Sequence, residues 1–151
     1  MDKEIYNFTF NKEDATFQFD SIGPKGKIRK LISYILFDRM DDGTPVLNLA
    51  FGDLEGNDQN ISDTVISNNP DRDKVLATVA RTVLQIIDSY NKVGIIAQGS
   101  TPSRTRLYQI SINAYKEEID EYFEVKGLTD KGWEIFKKGT NYSSFLATKK
   151  V

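Results

Sequence analysis

The stretch Ile95-Ile96-Ala97-Gln98-Gly99-Ser100-Thr101-Pro102-Ser103-Arg104-Thr105-Arg106-Leu107-Tyr108 reads as a short apolar strand, a turn at Gly99 and the start of a helix. Thr101 stands at the N-cap position and Pro102 at the first helical position, where the missing N–H costs nothing. Leu107, Ile110 and Ala114 carry the helical spacing on to about residue 118. Upstream, Asn68-Asn69-Pro70 followed by Asp71 and Asp73 gives a second helix start, with an Asn cap, Pro at the first position and acids in the first turn. Val75, Val79, Val83, Ile86, Ile87 and Tyr90 then follow helical periodicity, which predicts a helix over 70–90.

Outside this central block the period drops to two. Tyr6, Phe8 and Phe10 alternate, and Phe17 and Phe19 repeat the pattern beyond the turn at 11–14, so the chain opens on a β-hairpin. Residues 27–38 are read as one long strand, because Asp41-Asp42-Gly43 is a turn signal and Val46 to Phe51 supplies a partner. After the second helix, Tyr122–Lys126, Trp133–Phe136 and Tyr142–Lys149 read as strands, and Thr64-Val65-Ile66 as a brief one. The order is β-β-β-β-α-β-α-β-β-β. Strands at both ends with helices between them predict an α+β fold: a mostly antiparallel sheet, two helices packed on one face, and the 93–97 strand as the candidate for a parallel pairing.

Composition bounds the chemistry. A chain of 151 residues with 39% hydrophobic and 28% charged residues suits one globular domain over 1–151. The net charge of -2 gives no overall attraction for nucleic acid or an anionic membrane. The charged N-terminus and the lack of a long apolar run predict a cytoplasmic protein without a membrane anchor. Cysteine and histidine are both missing, which removes thiol and imidazole catalysis and the corresponding metal ligands. No cofactor or metal is expected, and oligomeric state is not readable.

The strand–helix junction is the one place where chemistry and structure converge. A helix start presents backbone N–H groups and positive potential, and Ser100, Thr101 and Ser103 add hydroxyls. Arg104 and Arg106 sit at the wrong end of a helix for cations, at a cost of about 0.3–1 kcal/mol each when exposed near the terminus. They call for an acidic counterpart: Asp53, Asp71 or Asp73 from the chain, or a bound anion. Tyr108, four residues after Arg104, could stack on its guanidinium. The candidate ligand-binding set is therefore Gly99, Ser100, Thr101, Ser103, Arg104, Arg106 and Tyr108, with Asp53. The pattern is not a P-loop, since it lacks the Gly-Lys-Ser/Thr ending.

Two further features have blander readings. Gly52-Asp53-Leu54-Glu55-Gly56-Asn57-Asp58 lacks the register and terminal Glu of an EF-hand and reads as a solvated loop, with Asp53 the member facing inward. The aromatics Tyr122, Phe123, Trp133, Phe136, Tyr142 and Phe145, with Lys126, Lys131, Lys137 and Lys138 nearby, could form a stacking platform for single-stranded nucleic acid. Their period-two alternation reads more simply as core.

The segments Asp73-Lys74-Val75-Leu76-Ala77-Thr78-Val79-Ala80 and Gly99-Ser100-Thr101-Pro102-Ser103-Arg104-Thr105-Arg106-Leu107-Tyr108, with Ser67-Asn68-Asn69, Phe51-Gly52-Asp53 and Trp133-Glu134-Ile135-Phe136, resemble a family of small uncharacterised proteins found mainly in Bacteroidota. The resemblance covers nearly the whole chain, and its specific parts are KVLATV and GSTxxRTRLY. It implies a stand-alone bacterial domain of unknown function and no particular activity. The functional expectation is a small binding or regulatory protein that acts through a protein partner or an anionic, phosphate-bearing ligand at 99–108. The alternative is a transferase-type enzyme using Arg104 and Arg106 for charge stabilisation and Asp53 as base.

Overall fold

The computed structural model describes residues 4–24, 26–54, 61–62, 71–99 and 101–150, without side-chain detail at 61, 62 and 104. Among these the elements run β1 (Thr9–Asn11), β2 (Thr16–Gly23), β3 (Gly26–Arg39), β4 (Pro45–Leu54), β5 (Ile61–Ser62), α1 (Arg72–Ile87), β6 (Gly94–Ala97), α2 (Pro102–Ala114), α3 (Lys116–Tyr122), β7 (Phe123–Thr129), β8 (Gly132–Ile135) and β9 (Phe145–Lys149). The α+β class stands, with three helices among the described residues where the sequence predicted two. The chain forms two compact units, Met1–Tyr34 with Ala50–Ser89, and Ile35–Leu49 with Tyr90–Val151.

In the first unit the strands neighbour one another in the order β1-β2-β3-β4-β5. The ladder of β2 with β3 is antiparallel from Thr16↔Ser33 to Gly23↔Gly26. Residues 30–34 of β3 are all buried, which is why that part of the strand reads as a continuous run and not as an alternation. Phe17 anchors the aromatic packing, stacked on Phe10 at 4.5 Å and edge-on to Tyr34 at 5.9 Å. Helix α1 starts at Arg72 with Asp71 at its N-cap; the predicted start at Asn68, Asn69 and Pro70 and the predicted strand at 64–66 lie outside the described residues. Val75, Val79, Ile86 and Ile87 are buried as the spacing predicts.

Thr78 and Thr82 are also fully buried in α1, and neither is spare. Their hydroxyls bond back to the carbonyls of Lys74 (2.7 Å) and Val79 (2.7 Å). Thr78 Oγ1 also accepts the Tyr6 N–H at 2.9 Å, and Thr82 Oγ1 lies 2.9 Å from the Tyr34 hydroxyl.

In the second unit the order is β4-β6-β9-β7-β8. The pairing of β4 with β6, from Val46↔Gly94 to Leu49↔Ala97, is parallel; the ladders of β6 with β9, β9 with β7 and β7 with β8 are antiparallel. The turn between β3 and β4 is closed by Met40 N–H to Thr44 O (2.8 Å) and Gly43 N–H to Met40 O (2.9 Å). Gly43 sits at φ +88°, which explains the glycine after Asp41-Asp42.

Tyr115 splits the predicted helix to residue 118 in two. Its backbone at φ -111°, ψ 18° leaves the helical register, its ring is buried, and Glu117 and Glu118 then open α3 with acids in the first turn. Helix α3 therefore takes Tyr122, which the sequence assigned to a strand. The last strand begins at Phe145 instead of Tyr142, because the Tyr142 main chain is engaged elsewhere: its N–H donates to Gln109 Oε1 at 3.2 Å, while Gln109 Nε2 donates to Thr140 O at 2.6 Å. Phe136, Tyr142 and Phe145 pack within 5.3–6.1 Å of one another. A Cβ on Gly127 would come within 2.3 Å of the Tyr142 ring, so this aromatic cluster needs glycine there.

Candidate functional site

Helix α2 begins at Pro102, as its N-cap signature predicts. The turn leading into it is tied down by Thr105, which the sequence reading passed over. The Gly99 N–H donates to Thr105 Oγ1 at 3.1 Å, and that hydroxyl lies 3.2 Å from Thr101 O, to which it donates. Thr105 is buried, and its own N–H closes the first helical turn onto Thr101 O at 3.0 Å. The Gly99 N–H is thus used internally and is not open to an anion. A threonine four residues into a helix carries no local signal for this role, since its partner is set by how the turn folds back.

The other members of the set divide. Ser103 and Arg106 are exposed, three residues apart on α2, and the first turn of this helix holds no acidic residue. Thr101 is half-buried. Tyr108 is buried in the core. Ser100 and the Arg104 side chain lie outside the described residues.

Asp53 belongs to the first unit and does face inward, but from within β4 and not from a loop. Its carboxylate forms a buried ion pair with Lys30 of β3. Both side chains are almost fully enclosed, at 3% exposure for Lys30 and 8% for Asp53, with the Lys30 ammonium 5.9 Å from the centre of the Phe51 ring. Lys30 sits opposite Phe19 in the β2–β3 ladder, so the strand register delivers it to the interior. A buried ion pair of this kind survives only because each partner neutralises the other.

Asp71, the second acid considered for the arginines, is also engaged. It accepts hydrogen bonds from the Tyr6 hydroxyl and from Ser21 Oγ, each at 2.5 Å. Tyr6 further accepts from the Ile22 N–H at 3.2 Å, stacks on Phe19 at 5.6 Å and receives the Lys74 ammonium 4.2 Å above its ring. Burial and the hydrogen bond to Asp71 push the Tyr6 hydroxyl above its ordinary pKa. An open recess of about 480 Å³ at the start of α1 is lined by Asp71, Arg72, Asp73 and Lys74. No local pattern announces this cluster, in which Ser21 and Tyr6 stand 50 and 65 residues from Asp71 along the chain. No group of His, Cys, Asp or Glu able to hold a metal occurs among the described residues, and no helix there is long and apolar enough to cross a membrane.

The fold is that of an α+β protein with a largely antiparallel sheet. The chain belongs to a family of unknown function, DUF6934, whose family model matches residues 2–150. No curated protein and no solved structure matches it.

Proposed function

We propose that this protein is a binding protein that takes an anionic, phosphate-bearing ligand at the start of α2. One observation carries the reading: the first turn of α2 has no acidic residue, while Ser103 and Arg106 stand exposed on the same side of it. A helix N-terminus favours negative charge, and an exposed guanidinium there is complemented by an anion. Asp53 supports binding over transferase chemistry, because a carboxylate enclosed with the Lys30 ammonium is poorly placed to take a proton from a substrate. Titration with inorganic phosphate and with ATP, followed by backbone amide shifts, tests it. Saturable shifts confined to 101–106, weakened roughly tenfold by Arg106→Ala (about 1.4 kcal/mol), are expected. Absence of any response to either compound overturns the ligand reading.

A further inference from the structure

We propose that the outer edge of β8 binds an extended, acidic segment of a partner protein as an added strand. This site shares no side chain with the α2 face and stands independently of the reading above. Among the described residues of the second unit β8 ends the strand order, paired on one side by β7. The phase of that ladder decides what the other side offers. Phe136 N–H donates to Val125 O at 3.0 Å, and the register sets Glu134 opposite Gly127 and Gly132 opposite Thr129. Hydrogen-bonded pairs alternate in an antiparallel ladder, so Gly132, Glu134 and Phe136 direct their N–H and C=O groups to β7. Trp133 and Ile135 direct theirs outward, giving two donors and two acceptors in the spacing that an incoming strand needs.

The side chains agree. Trp133 is 42% exposed and Ile135 66%, two residues apart and therefore on one face. Half-buried Leu128 stands opposite Trp133 and Lys126 opposite Ile135 on that same face, which continues the apolar surface inward from the edge. A strand edge guarded only against aggregation would carry charges at these two positions, not a tryptophan and an isoleucine.

Charge selects the occupant. Lys131 precedes β8 and Lys137 and Lys138 follow it, all exposed. Lys126, beside Ile135, faces Glu124 at 3.9 Å, and Glu134 accepts from the Tyr142 hydroxyl. The three flanking lysines, against the one exposed acid beside them, Asp130, leave the ends of β8 basic. A second copy pairing antiparallel about Glu134 would set Lys131 of one chain opposite Lys137 of the other, a like-charge contact that costs stability. An acidic segment with alternating apolar residues meets the lysines with carboxylates and Trp133 and Ile135 with side chains. Single-stranded nucleic acid would need a row of exposed rings, whereas Phe136, Tyr142 and Phe145 are buried.

Trp133 is the only tryptophan, so its emission reports this edge directly. The full chain is titrated with a blocked peptide alternating valine and glutamate, with a valine–lysine peptide, and with an oligothymidylate. A saturable blue shift with the valine–glutamate peptide alone is expected. Ile135→Pro removes an outward N–H without touching the β7 ladder and should weaken that binding at least tenfold, while circular dichroism checks the fold. Should Ile135→Pro not fold, Lys131→Glu/Lys137→Glu decides: it should abolish the response to the acidic peptide and create one to the lysine peptide. No shift with the acidic peptide, equal response to both peptides, response to the oligonucleotide alone, or a concentration-dependent dimer that blocks the edge would each overturn the proposal.

Discussion

Lys30 and Asp53 show how an inward-facing acid can be legible in the sequence while its neighbour across the sheet is not. An aspartate beside a strand end was expected to turn inward, and it does. Its counter-charge among the described residues is a lysine 23 positions away on a neighbouring strand. Removing one member of a buried pair strands the other charge, at a cost of about 3–5 kcal/mol, whereas replacing both with apolar residues can be neutral. Lys30→Met should therefore lower the urea midpoint strongly. Lys30→Met/Asp53→Leu should recover most of that loss. A double variant as unstable as the sum of the single ones would show that the two side chains do not act as a pair.

At the scale of elements, tyrosine hydroxyls fasten segments that have no ladder of their own. Tyr6 ties residues ahead of β1 to the start of α1 through Asp71. Tyr142 ties the loop before β9 to β8, donating to Glu134 at 2.8 Å and accepting the Lys137 N–H at 3.0 Å. Burial first, and then the carboxylate each one faces, raises both hydroxyls above the usual 10.0. A raised pKa means that the folded state prefers the neutral phenol. The stability this contributes is complete below about pH 10 and is lost as pH climbs through the raised values. Thermal melts should therefore shift downward above pH 10, with tyrosinate absorbance appearing alongside unfolding. Tyr6→Phe should melt lower than the parent at neutral pH and lose less than the parent between neutral and alkaline pH. An identical alkaline slope in both proteins would assign the effect to other groups.

The helices and turns were largely legible in the sequence because their signals are local. Pro102 after Thr101 starts α2, and Asp42-Gly43 makes the β3–β4 turn. The break at Tyr115 was not legible, since apolar helical spacing runs on past it, while its backbone leaves helical geometry with its ring buried. The same holds for the site. The placement of Ser103 and Arg106 on a helix start was legible, but the internal use of Gly99 by Thr105 depends on a turn that sequence spacing does not encode.

For the molecule as a whole, each compact unit is built from two separated pieces of chain, so neither can be cut out as one continuous fragment. A fragment of residues 90–151 lacks Val46–Leu49, the parallel partner of β6. It should be unfolded by circular dichroism and amide dispersion, and a well-dispersed spectrum from that fragment would refute the dependence. From periodicity, local capping and composition alone follow the α+β class, the long β3–β4 hairpin, the start of α2 and the exclusion of thiol and imidazole chemistry. Folding in three dimensions was needed to set Asp53 against Lys30 and Asp71 against Tyr6 and Ser21, and to leave Trp133 and Ile135 exposed on β8. Those outcomes depend on strand register and on contacts across long separations, where many pairings satisfy the same local pattern and packing selects one.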